Sequence, residues 1–357
     1  MAASESASVP GALLLANALF GAGSVVGSIG LPSMNPLVFA SLREASATLI
    51  LGCVALVVER RAAARKPRDA PPPVAPRRYL YASLGVCVFL DQGCSIAGIK
   101  LSDAVTQSIW QTTQPVITAA LSRVVFGEPL TWRRSCGVAC AFAGCLAMVG
   151  LGALSSAAPA SRARYVAANG LFLVNCTASS AYVILSKGAA PDTPTVSVTF
   201  RTYLRAAALM ALTTTVVNAS GPLLAVVCDD CGRRGAWRVP ARALWALAYW
   251  VLGQSVVAYC LVTWATRRAS STLVSAFAVV QPVVAAALTA AILAAGAYAN
   301  CATSADDDAC LAPTGWPALG AVPIFAGLFL VVRTEAPPAP PAPLAHPLLL
   351  ATDDGVQ

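Results

Sequence analysis

Residues 102–126 read SDAVTQSIWQTTQPVITAALSRVVF, and the fold class turns on how this stretch is taken. It is long enough to cross a bilayer, which takes about 20 mostly apolar residues to span about 30 Å at 1.5 Å per residue. Yet Asp103, Gln107, Trp110, Gln111, Gln114 and Thr118 recur at helical spacings on one side. Lipid offers such a stripe no partners, so it must face protein or a water-filled path. Pro115 has no amide proton to give the carbonyl of Gln111, and a kink is predicted there. The same Gln-Pro-Val returns at 281–283, where Pro282 stands in the same relation to Ala278. Broken helices at corresponding positions of two halves are a pointer to a transporter's binding site. The competing reading is helix packing with kinks that bind nothing.

Working outward, the composition agrees with a membrane protein. Of 357 residues 57% are hydrophobic and 11% charged, against about 25% charged in soluble domains. Further apolar stretches give ten candidate spans near 11–31, 36–58, 79–100, 102–126, 131–152, 165–187, 195–218, 243–265, 271–296 and 314–332. The halves echo each other in order. Asn17-Ala-Leu-Phe20 matches Asn169-Gly-Leu-Phe172, and Pro36 with Arg43 matches Pro194 with Arg201. Gln114-Pro-Val matches Gln281-Pro-Val, and Gly137-x4-Phe-Ala-Gly144 matches Gly320-x4-Phe-Ala-Gly327. Each unit holds an odd number of spans, so the second enters the membrane from the other side. The expected fold is an all-α membrane protein of ten transmembrane helices arranged as two inverted five-helix repeats. Its parts are a tail at 1–10, the first repeat at 11–152, a linker at 153–164, the second repeat at 165–333 and a disordered tail at 334–357.

Net charge is +8, but the basic residues lie in short loops, which argues against nucleic acid and for bilayer orientation. With a cytosolic N-terminus, 13 of the 24 Lys and Arg residues fall in inner segments and seven in outer loops. Both termini are therefore expected in the cytosol, of the plasma membrane or an endomembrane. Met1 to Pro10 lacks signal-peptide features, so the first hydrophobic segment is expected to remain. Cys228, Cys231, Cys301 and Cys310 fall in the two long outer loops, where an oxidising compartment allows disulfides. Zinc binding and free thiols are the alternatives for these cysteines, and no metal or cofactor is expected.

Asp91-Gln-Gly through Lys100-Leu-Ser-Asp-Ala, Gln114-Pro-Val, Phe126-Gly-Glu128-Pro-Leu-Thr131 and Gly137-x4-Phe-Ala-Gly144 resemble the EamA type of the drug/metabolite transporter superfamily. The second half is similar at Ser270-Ser-Thr-Leu-Val and Gln281-Pro-Val. The resemblance implies a ten-helix secondary transporter that moves small organic solutes by alternating access, with protons or by exchange. The chain departs from it after the ninth span, where a long loop at 297–313 carries no counterpart of Glu128.

Charges inside spans cost at least about 2.5 kcal/mol each at a helix centre and call for partners. Measured along their helices, Arg43 and Asp91 reach similar depth, which predicts an ion pair. Glu44 or Asp91 is the carboxylate that would carry a coupling proton. Arg201, the repeat mate of Arg43, is expected near the inner face with Arg205 one turn on. The predicted substrate-binding set is Gln107, Trp110, Gln111, Gln114, Tyr259 and Gln281. Asn17, Asn169, Asn175 and Gln254 are further polar span residues that line the path or bond neighbouring helices. Lys100 and Lys187 end their helices and read as interface anchors. The lone histidine, His346, lies in the tail, which removes His-dependent enzymology from the membrane interior. The expected partners are a small-molecule substrate and membrane lipid, with room for a homodimer. A non-transporting receptor or scaffold is the alternative.

Overall fold

The computed structural model describes residues 2–31, 34–64, 78–126, 131–155, 159–189, 193–228, 231, 235–300, 310–311, 319 and 321–333. The tail at 334–357, Cys301, Glu128 and most of the loop at 297–313 lie outside the described residues.

The chain is almost wholly helical. Its first half runs α1 (Ala2–Gly30), α2 (Pro36–Ala64), α3 (Arg78–Leu101), α4 (Ala104–Gln111), α5 (Gln114–Phe126) and α6 (Trp132–Ser155). The second runs α7 (Pro159–Ser186), α8 (Thr195–Ala219), the short α9 (Gly221–Val227), α10 (Ala241–Tyr249), a π-helical segment (Trp250–Ala258) and α11 (Tyr259–Thr266). It continues with α12 (Ser271–Ala276), a 3₁₀ turn (Phe277–Val279), α13 (Val280–Ala294) and α14 (Ala321–Arg333). The described strands are β1 (Ala299–Asn300) and β2 (Cys310–Leu311), paired in parallel. Helix is found within each of the ten stretches expected. Among the described residues, six helices are long and apolar enough to cross a membrane: Ser8–Gly30, Pro36–Ala64, Tyr79–Leu101, Arg162–Ser186, Ala241–Thr266 and Leu273–Ala294. Large apolar side chains such as Leu49, Leu146 and Leu212 point outward on the helix surfaces, the arrangement hydrocarbon favours over water.

Boundaries differ from the sequence reading at several places; α7, for one, begins at Pro159, inside the linker expected at 153–164. Helix α1 begins at Ala2 and carries Pro10 inside it, so the expected tail is helical. The fourth stretch divides at Thr112 and Thr113, just ahead of Pro115. There the Thr112 and Thr113 hydroxyls donate at 2.7 Å to the carbonyls of Ile109 and Trp110.

Packing pairs recur between the halves. α3 lies against α7 as α10, the π segment and α11 lie against α1; α4 and α5 touch α7 as α13 touches α1. α2 packs against α8, and α6 against α14. Small residues permit these approaches. A Cβ on Gly23 would overlap the Gln254 amide and one on Gly27 would press on the Trp250 ring. One on Gly327 would meet the Gly137 carbonyl and Ala141. Further inside, Phe39 and Trp250 meet edge to face, with centroids 5.5 Å apart.

Candidate functional site

Asp103 starts α4 by accepting from the Thr106 amide at 2.8 Å, and Ser270 starts α12 by accepting from Leu273 at 3.1 Å. Side-chain oxygens at these N-caps satisfy amides that the helix leaves free. Each cap precedes the following proline by twelve residues in both halves, so the two broken helices begin alike. Between them lies a cavity enclosing about 690 Å³ of empty space, its open mouth included. Gln107, Gln111, Gln114, Tyr259 and Gln281 of the predicted binding set line it, with Asp91, Asn17, Asn175 and Gln254. Trp110 lies outside the lining. Its indole donates to Asn169 Oδ1 at 2.7 Å, and Trp250, Tyr182 and Phe20 supply aromatic wall instead.

The lining is joined by hydrogen bonds. Gln111 donates to Asn175 Oδ1 at 2.6 Å and accepts from Gln114. Asn175 donates to the Asp91 carboxylate at 2.6 Å and to its backbone carbonyl at 2.8 Å. Gln281 donates to Asn17 at 2.9 Å, while Ser24 donates to Gln107 at 2.5 Å. In a water-poor interior such bonds fix side-chain direction, because breaking one strands a polar group.

Arg43 and Asp91 do not form the expected ion pair; Gln92 stands between them. Arg43 donates to the side-chain Oε1 of Gln92, and Gln92 Nε2 donates to Asp91 at 2.5 Å and to the Tyr259 hydroxyl at 2.6 Å. Tyr259 in turn donates to Asp91. Arg43 also reaches Ser255 Oγ at 2.7 Å and lies 4.8 Å above the Trp250 ring, a cation–π contact worth about 2 kcal/mol when desolvated. Rise along the two helices puts both charges at one level but does not place the side chain of Gln92 between them. Arg43 and Glu44 are fully buried, and neither Glu44 oxygen has a hydrogen-bond partner among the described residues.

Arg201 lies elsewhere, 3.2 Å from Glu59, and with Arg205 it faces the ring of Tyr81 at 5.7 and 5.6 Å. Lys100 does more than anchor, donating to the Met34 carbonyl at 3.2 Å and Cys228 Sγ at 3.1 Å. Cys228 and Cys231 form a disulfide; Cys301 and the side chain of Cys310 lie outside the described residues. Sequence reasoning missed Gln92, Trp250, Tyr182, Ser24 and Ser95. Gln92 and Ser95 stand one and four positions after Asp91, so the helical period that flagged residues 103–118 would have flagged them in α3 too. Nothing local announces the π segment, a rare form that recurs at functional sites.

Apolar helices surrounding a buried polar cavity define an integral multi-pass membrane protein. Residues 10–150 match the EamA-like transporter family, a match consistent with an EamA-type member of the drug/metabolite transporter superfamily. No curated protein matches the chain. A solved structure described as "Crystal structure of protein" is similar in fold, with a TM-score of 0.53 at 17% identity, covering 93% of this chain and 98% of its own.

Proposed function

We propose that the protein is a secondary transporter of small organic solutes, with ten spans in two inverted five-helix units that work by alternating access. The observation that carries this reading is the amide-lined cavity between the two broken helices, with Gln114 and its repeat mate Gln281 both in its wall. Inverted units supply related inward-open and outward-open states around one central site. The recurrence of packing pairs between the halves supports that arrangement.

Contacts between segments assigned to the same side also support it. Asn35 donates to Asn218 at 2.9 Å at the outer end. Arg201 with Glu59, and Arg267 with the Thr193 carbonyl at 2.6 Å, join segments at the inner end. Both termini then face the cytosol. The coupling group is Asp91, at the centre of the relay, or the neighbouring Glu44.

The test is thermal unfolding of the purified protein in detergent against neutral, zwitterionic and anionic metabolites, since a ligand stabilises the state it binds. A stabilising ligand whose effect is lost in Gln111→Ala, and whose flux into vesicles is lost with it, is expected. Stabilisation that survives Gln111→Ala, or binding without flux in active vesicles, overturns the reading. For coupling, an Asp91→Asn or a Glu44→Gln protein is expected to lose the pH dependence of flux. Wild-type pH profiles in both would remove both carboxylates from the mechanism.

A further inference from the structure

Away from the cavity, the end of α3 meets the chain that follows α9. The Cys228 and Cys231 Cα atoms are 5.3 Å apart across their disulfide. The two sulfurs have unequal surroundings. Cys228 is 2% exposed, packed with Leu224 and Ala236, and has the Lys100 ammonium 3.1 Å from its sulfur. Cys231 is only partly covered.

We propose that Cys228 and Cys231 form a thiol–disulfide exchange site, in which an external dithiol attacks Cys231 and Lys100 holds the departing Cys228 sulfur. The attacking thiolate forms a bond to Cys231 Sγ as the Cys231–Cys228 bond breaks, and the electron pair leaves on Cys228 Sγ. The second thiol of the reductant then displaces Cys231, closing the reductant's own disulfide. Two electrons pass from dithiol to protein, and two protons follow onto the departing sulfurs. A cation beside the leaving thiolate favours both the rate and the reduced form. A disulfide serving only as a staple has no need of an accessible sulfur joined to a buried, cation-paired one.

The experiment uses the full chain in lipid nanodiscs, equilibrated with reduced and oxidised dithiothreitol, acid-quenched, differentially alkylated and read by peptide mass. The pair is expected to titrate between oxidised and reduced forms. Lys100→Met should raise the dithiol ratio needed for half reduction by about tenfold, and Lys100→Arg should leave it within about twofold. An unchanged midpoint in a folded Lys100→Met protein, a pair that stays fully oxidised, or free thiols under oxidising buffer overturns the proposal. The wild-type chain gives a second reading that depends on no variant. A trapped monothiol adduct is expected on Cys231, and an adduct on Cys228 overturns the proposal.

Discussion

The two broken helices share a backbone plan and differ in chemistry. Each begins with a side-chain cap, breaks just ahead of a proline, and continues from a Gln-Pro-Val. Yet Gln107, Trp110 and Gln111 in the first half stand where the second has Val274, Phe277 and Ala278. The arginine mates differ as sharply. Arg43 is buried at the head of a relay, whereas the Arg201 side chain is 33% exposed and paired with Glu59. A repeat thus conserves geometry, which both halves need to bend alike, and frees the side chains of one half to specialise. The first half puts Asp91, Gln107, Gln111 and Gln114 in the cavity wall, and the second puts Asn175, Gln254, Tyr259, Gln281 and the rings of Tyr182 and Trp250 there.

The contrast breaks first, and most severely, at the arginines. Arg43→Met removes the cation from a buried relay and leaves Gln92, Asp91 and Glu44 without it, a change expected to cost about 3–5 kcal/mol. Arg201→Met should cost under about 1 kcal/mol, because its pair is partly solvated. Unfolding of both variants in detergent reads the difference, and equal losses would erase the distinction. Next in size is Gly327→Ala, which drives a methyl into the Gly137 carbonyl and Ala141. About 1–3 kcal/mol of destabilisation is expected from such overpacking. Gly150→Ala, with open space around it, should lie within about 0.5 kcal/mol of wild type.

At the cavity, Gln111→Leu should weaken binding of any ligand found by about tenfold, the scale of one or two buried hydrogen bonds. Val274→Ala, at the mate of Gln107, should weaken it less, because no hydrogen-bonding group is removed. Equal effects, read by titrating the thermal shift, would mean recognition is shared between the halves. At the caps, Asp103→Ala and Ser270→Ala should each cost about 1 kcal/mol. Asp103 should cost more, since it also accepts from the Ser102 and Thr106 hydroxyls.

Much of this was legible because its causes are local. Apolar length marks spans, proline marks breaks, and the period of Gln107, Gln111 and Gln114 marks a face. What lay between helices was not. Rise along an axis puts Arg43 and Asp91 at one depth but says nothing of rotation about it, which is why Gln92 came between them unannounced. The π segment is likewise unsignalled, and α1 sets its surroundings: Trp250 donates to the Gly23 carbonyl at 2.8 Å and Tyr249 to that of Leu19 at 2.9 Å. Lys100 read as an anchor from its position in sequence, since its sulfur partner is 128 residues away.

The hydroxyls of Thr112 and Thr113 have a further consequence for energetics. They satisfy the carbonyls of Ile109 and Trp110 from within the same segment, and Cys176 adds a contact to Trp110 at 3.2 Å. The interruption is therefore supported by the chain's own hydroxyl and thiol groups. Under the alternating access proposed above, a solute would spend none of its binding energy on opening this helix, and that energy would be left to favour one access state over the other.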